Sequence, residues 1–193
     1  MAEFTPYTKG ITLNGKTIHS ITSTDMLKDK AFKCLATVGL DNYIPDDRHW
    51  YSLTKFLKAF KMMADEINPH ALFMVGQRIL GTAVLPPMKN IEEALGLLDI
   101  TYHMNHKDPD GRVMFDPEKK IMLDGIGHYK AIKVKGKKEI RMIVDVPYPC
   151  RFDRGLINTF ARRYNKTAYI REDLDAPCRS KGADSCTYII TWK

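Results

Sequence analysis

The sequence predicts an α+β fold in which helices pack on an antiparallel sheet. Between Ser23 and His106, apolar residues recur at helical spacing. From Gly111 to Val146 the pattern shortens to strand-like runs separated by glycine and proline. Helices and strands are grouped rather than alternating, which argues against a parallel dinucleotide-binding sheet. With 193 residues, 44% of them hydrophobic and 27% charged, the chain can bury the core of one domain.

Residues 1–20 read as a small N-terminal hairpin. Ile11-Thr12-Leu13 and Lys16-Thr17-Ile18 flank Asn14-Gly15, the pair favoured in tight primed turns. Because an isolated hairpin is marginal in water, it must pack on something. With the first two helices it forms the expected surface of a homodimer, and residues 21–193 make up the main domain. Ser23 is placed to cap a helix carrying Leu27, Ala31, Cys34 and Val38 on one face, closed by Gly39. A second helix follows Asp46-Asp47, with Trp50, Leu53, Phe56, Leu57, Phe60, Met63 and Ile67 in register. Asn68 caps a third, with Pro69 at its first position; it carries Leu72, Val75, Ile79 and Leu80 and ends before Pro86-Pro87. A fourth starts at Asn90, with Glu93 placed as a capping-box partner and Ile91, Ala94, Leu95, Leu98 and Tyr102 inside.

Strand-like runs follow at 112–115, 120–126, 128–135 and 138–146. Pro147-Tyr148-Pro149-Cys150 is a rigid turn, after which Asp153 is placed to cap a helix burying Leu156, Ile157, Phe160 and Ala161. Strands at 167–173 and 186–192 close the chain around a loop containing Pro177 and Gly182.

The net charge is +7, but it is spread along the chain. Its densest cluster, Lys130, Lys133, Lys135, Lys137, Lys138 and Arg141, alternates with apolar residues and flanks Gly136. That pattern describes the solvent face of a hairpin rather than a phosphate track, so no specific nucleic-acid partner is expected. The longest strongly apolar run, Ala71–Val75, is far below the roughly 20 residues that cross a bilayer. The N-terminus lacks the basic start and apolar block of a secretory signal, and four cysteines are too few for a disulfide scaffold. A reducing, cytoplasmic setting is therefore expected. Neither a phosphate loop, a Gly-x-Gly-x-x-Gly turn nor a Gly-x-Ser-x-Gly elbow is present, so the sequence offers no catalytic residues.

Three cysteines stand at element junctions near the end: Cys150 before a helix, and Cys178 and Cys186 bracketing a loop that bends at Gly182. If the loop folds like a hairpin, its ends meet, and Asp175 could add an oxygen. Thiolates suit zinc, with Zn–S near 2.3 Å. The spacing alone also allows three buried free thiols or a Cys178–Cys186 disulfide.

The segment Cys150-Arg-Phe-Asp-Arg-Gly-Leu-Ile-Asn-Thr-Phe-Ala161, then Tyr169-Ile-Arg-Glu172, then Asp175-Ala-Pro-Cys178 through Gly182 to Cys186 resembles the end of a 4-vinyl reductase domain. That family shares a ligand-binding superfamily with haem nitric-oxide sensors and Golgi transport-particle subunits. Its zinc-containing members include sensory domains of bacterial activators that respond to aromatics. The resemblance implies a structural zinc held by Cys150, Asp175, Cys178 and Cys186, with Asp where the family usually has Glu and a longer gap after the first cysteine. It implies binding rather than turnover: residues 21–193 would form a ligand-binding domain with an apolar pocket between helices and sheet for a hydrophobic or aromatic ligand. Trp50, Phe60, Phe73, Tyr102, His103 and His106 are the candidate lining residues. A homodimer and a signalling partner protein would carry the output. The resemblance also allows an accessory role in tetrapyrrole vinyl reduction, a trafficking or assembly adaptor, and a haem gas sensor using His103 or His106. Haem is disfavoured, because the Tyr-x-Ser-x-Arg pattern that haem sensors use for propionates is missing.

Overall fold

The structure is a computed structural model describing residues 3–24, 27–79 and 88–193. In it six helices pack with antiparallel sheets. Strand β1 (Thr12–Asn14) sits between β2 (Trp50–Ser52) and β3 (His106–Lys107). Helices α1 (Gly15–Thr22), α2 (Lys28–Ala36), α3 (Leu53–Glu66), α4 (Pro69–Arg78) and α5 (Ile91–Met104) form the first half. The short pair β4 (Phe115–Asp116) and β5 (Ile121–Met122) precedes the main sheet. That sheet contains β6 (Tyr129–Lys133), β7 (Glu139–Val144), β8 (Tyr169–Glu172) and β9 (Cys186–Thr191) in the order β6-β7-β9-β8, all antiparallel. Helix α6 (Cys150–Tyr164) packs against α4 and α5. No described helix is long and apolar enough to cross a membrane.

The expected N-terminal hairpin does not form. Asn14 Oδ1 accepts the Thr17 amide at 3.0 Å and so caps α1, which contains the residues expected to return as a second strand. Gly15 serves a close approach instead of a turn: a Cβ there would lie 1.8 Å from the Ile44 carbonyl oxygen. Leu13 and Ile18 are fully buried in the same core as the rest of the chain, and a boundary at residue 20 would cut α1. Ile11, Leu13 and Ile18 therefore share one core with the rest of the described chain.

Other elements shift for similarly local reasons. Trp50 lies in β2 rather than in a helix, because Ser52 accepts the Lys55 amide and starts α3 only at Leu53. Ser23 turns back to the Ser20 carbonyl and does not cap α2, which begins at Lys28 without a side-chain cap. Asn68 and Asn90 cap α4 and α5 as expected, and Glu93 reaches back to the Lys89 amide at 2.8 Å. The expected end of the third helix at Leu80 and Pro86-Pro87 lies outside the described residues. The lysine-rich run forms the β6–β7 hairpin, with Lys130, Lys133, Lys135, Lys137, Lys138 and Arg141 all exposed.

Helices α4 and α6 touch backbone to backbone. A Cβ at Gly76 would lie 2.0 Å from the Phe152 carbonyl oxygen, and one at Gly155 would lie 2.0 Å from that of Phe73. A Gly155→Ala variant must therefore push the helices apart. The expected cost is about 1–3 kcal/mol, read as a lower urea midpoint with an unchanged slope.

Candidate functional site

Two sites lie on either side of α6. The first is a cavity of about 780 Å³ between α1, α5, α6 and β2, within the ~300–1,000 Å³ range of small-molecule sites. Trp50, Leu98, Tyr102, Phe152, Leu156 and Phe160 give it an apolar wall. Of the expected lining residues, Trp50, Tyr102 and His106 are in the wall, while Phe60 backs the neighbouring core from α3. Phe73 is not: it faces the other side of α4, stacked on His70 with centroids 6.2 Å apart.

Polar groups in the wall are mostly committed to one another. His106 Nδ1 is 2.8 Å from the Tyr102 carbonyl, which can only accept, so Nδ1 carries the proton. Its Nε2 then accepts from the Tyr148 hydroxyl at 3.0 Å. Tyr102 donates to the Ile126 carbonyl at 2.7 Å, and Tyr129 donates to Asp153 at 2.6 Å. All three phenols spend their single proton inside the protein and keep acceptor lone pairs. Burial is the main cause that pushes the His106 pKa down to about 4 from the usual 6.5.

That shift has a pH consequence. The unfolded imidazole takes up a proton more readily than the folded one, so its contribution is complete above pH 6.5 and is lost as pH falls toward 4. By pH 5 the loss should reach about 2 kcal/mol. A His106→Gln variant is expected to lose correspondingly less stability between pH 7 and 5, measured by urea unfolding at each pH.

His103, expected in the pocket, is fully buried in a different place. Its Nδ1–H donates to the Asp99 carbonyl at 2.8 Å, and its ring stacks on His128 with centroids 4.9 Å apart. Asp99 accepts from the Tyr129 amide at 2.9 Å and lies 3.0 Å from His128 Nδ1. Burial works to lower the His128 pKa, but the hydrogen bond and charge of Asp99 outweigh it and hold the value raised. Asp99, His103 and His128 are close enough to hold a metal. Their hydrogen bonds already satisfy one another, apart from His103 Nε2, and they tie α5 to β6.

The second site is the cysteine cluster. Cys150 opens α6, Cys186 opens β9 opposite Val144, and Cys178 precedes a 3-10 turn at Arg179–Lys181 that ends on Gly182 in the left-handed region. The sulfurs of Cys150 and Cys186 are 2.8 Å apart, those of Cys178 and Cys186 are 3.4 Å, and those of Cys150 and Cys178 are 3.6 Å. No disulfide joins them. The three form a group able to hold a metal ion. Asp175 is not part of that group: it is exposed, and its amide turns to Asp173 at 3.3 Å. Its short side chain stands on the outer turn of the loop. Cys34 is buried on α2, away from the cluster.

The Cys186 thiol is pushed down, first by the Cys150 hydrogen bond and then by the Arg179 amide, which donates to its sulfur at 3.2 Å. The thiol of Cys150 is pushed up, chiefly by that same contact and then by burial. Asp153, expected as a cap, lies within α6 and is fully buried. It meets the equally buried Arg179 at 2.5 Å, and Arg179 also donates to the Val146 and Tyr148 carbonyls. Tyr129 and Tyr148 line the cavity while Arg179 adjoins Cys178, so this buried pair joins the two sites. Asp153, Arg179, Tyr129 and Tyr148 carry no site signal in the sequence. A lone Asp-x-x spacing after Cys150 carries no signal for an arginine 26 positions later.

No family model matches the chain, and no curated protein matches it. Solved structures do. An H-NOX protein from S. oneidensis in the Fe(II)NO ligation state superposes with a TM-score of 0.63 at 15% identity, covering 94% of this chain and 99% of that one. The H-NOX domain from Shewanella oneidensis in the Fe(II)CO ligation state gives 0.60 at 15% identity, over 96% and 99%. A variant of T. tengcongensis H-NOX gives 0.61 at 15% identity, over 94% and 98%. The chain thus has the fold of H-NOX (heme nitric oxide/oxygen binding) domains over nearly its whole length.

The charge of the cavity wall does not fit haem. Haem needs an axial ligand and cations for its propionates. His106 is the only histidine among the described residues lining the cavity; its Nδ1–H donates to a carbonyl, as in ligating histidines, and its Nε2 is turned to the Tyr148 hydroxyl. Among the described residues of the wall, Lys16 is the only cation, and it pairs with Asp47 at 2.6 Å. The undescribed stretch 80–87 contains no histidine, lysine or arginine.

Proposed function

We propose that the protein is a small-molecule-binding sensor domain. Its cavity takes a neutral hydrophobic or aromatic ligand, and its cysteine cluster holds a structural zinc. The resemblance to zinc-containing 4-vinyl reductase sensors would account for both features on one H-NOX-like fold. The observation that carries this reading is the apolar cavity whose three phenols, Tyr102, Tyr129 and Tyr148, present acceptors but no free donor. A ligand that donates one hydrogen bond from a flat apolar body, such as a phenol, complements such a wall. Zinc with three or four protein ligands would brace α6, β9 and the loop between β8 and β9, and a closed coordination shell serves structure rather than turnover.

Trp50 reports on the cavity from its wall. Titration with 1-naphthol should quench its fluorescence saturably, and 1-methylnaphthalene, which lacks the donor, should bind about tenfold more weakly. Absence of saturable quenching, or equal affinity for the two probes, contradicts the ligand assignment. Purified protein should be colourless and carry one zinc by elemental analysis; a Soret band would replace this reading with haem binding.

A further inference from the structure

We infer that the Glu3 carboxylate supplies the fourth ligand to a metal held by Cys150, Cys178 and Cys186, fastening the N-terminal segment across the metal site. This rests on the metal reading of the cysteine cluster. Glu3 Oε1 accepts the Cys150 amide at 2.6 Å, at the start of a helix whose N-cap, Pro149, offers no side-chain acceptor. The same carboxylate is within hydrogen-bond reach of the Cys150 thiol. One carboxylate oxygen holds the amide; Glu3 stands outside the group of three sulfurs, so its carboxylate turns toward Cys178 and Cys186 to join them around a cation.

The segment that follows Glu3 is held in place. The Phe4 amide donates to the Pro147 carbonyl at 2.7 Å, Tyr7 donates to the Asp145 carbonyl at 2.5 Å, and Thr8 donates to the Gly125 carbonyl at 3.1 Å. Phe4 has φ +63°, a left-handed conformation that a bulky residue keeps only where its surroundings impose it. That bend places Glu3 at Cys150 and the Phe4 ring edge-on to Phe60, with centroids 5.8 Å apart.

Three other carboxylates of the loop point away from the sulfurs or to other partners. Asp175 is exposed, Glu172 pairs with Arg151 at 3.3 Å, and Asp173 lies 3.8 Å from Arg141. Charge favours a cation as well. Thiolates beside a carboxylate repel one another, and the nearest buried cation, Arg179, is committed to Asp153 and two carbonyls. A divalent ion removes that conflict, and zinc accepts carboxylate oxygen at about 2.0–2.2 Å beside thiolates.

The test is zinc affinity of the full chain by competition with a chromophoric chelator, together with the ligand-field spectrum of the Co(II)-loaded protein. Glu3→Gln should weaken zinc binding at least tenfold and alter the Co(II) spectrum, Glu3→His should restore tetrahedral binding, and Asp175→Asn should change neither. A helix cap alone would not move the Co(II) spectrum. Unchanged affinity and spectrum in Glu3→Gln, or a loss that follows Asp175→Asn instead, would overturn the assignment while leaving the cysteine site standing. Wild-type protein that binds no zinc would overturn both.

Discussion

Cys186→Ser is expected to abolish stoichiometric zinc binding and to lower the unfolding temperature, whereas Cys34→Ser is expected to leave the metal in place. Cys186 is the centre of the cluster: it lies 2.8 Å from one sulfur and 3.4 Å from the other, and it receives the Arg179 amide. A serine hydroxyl does not ionise near neutral pH and cannot replace a thiolate. Loss of a ligand should therefore exceed the ~10–100-fold affinity cost of losing an outer hydrogen-bond partner. The stability loss follows because the ion would join the first turn of α6, the first residue of β9 and the loop between them. Anything bound only by the folded state adds its binding free energy to stability. Elemental analysis and thermal unfolding, each with and without a chelator, check both parts. In Cys186→Ser the chelator should no longer lower the melting temperature.

Arg179→Leu is expected to destabilise the protein by about 3–5 kcal/mol, because it strands Asp153 as an uncompensated charge in the core. Both side chains are fully inaccessible and meet at 2.5 Å. Burial pushes the Asp153 carboxyl up and Arg179 pulls it back, so the pair stands only as a unit. Removing both charges in Arg179→Leu/Asp153→Leu should recover much of the loss, since a buried pair and an apolar replacement are often close in stability. The remaining deficit would measure the hydrogen bonds from Arg179 to the Val146 and Tyr148 carbonyls and from Tyr129 to Asp153. Urea unfolding of the two variants, with Asp153→Leu closing the cycle, gives the coupling directly. A coupling near zero would mean that the two charges are independently solvated, contrary to their burial. Because Tyr129 lines the cavity and Arg179 adjoins Cys178, the same variants should also weaken naphthol binding.

What the sequence determined by itself was local. Asn68-Pro69 and Asn90 start their helices because a side-chain acceptor three residues before an amide needs no distant partner. The grouping of helical and strand periods was enough for the α+β class and the antiparallel sheet, since each period reflects which face of one element is apolar. The meeting of Cys178 and Cys186 was legible because the loop between them bends at Gly182, whereas the joining of Cys150 to them rested on the resemblance to 4-vinyl reductase domains.

Tertiary structure alone decided the rest. Asn14-Gly15 suits a hairpin turn and a helix cap equally well; the neighbouring Ile44 carbonyl and the flanking strands β2 and β3 settle it as a cap. His103 and His106 are three residues apart, a spacing that a continuing helix keeps on one face, yet one joins Asp99 and His128 and the other enters the cavity, because α5 ends at Met104 and His106 already belongs to β3. Asp153 with Arg179, and Glu3 with Cys150, are 26 and 147 residues apart in the chain. Periodicity describes one element at a time. A cavity, a buried ion pair or a coordination shell is made by several elements meeting, and only their packing specifies which side chains meet.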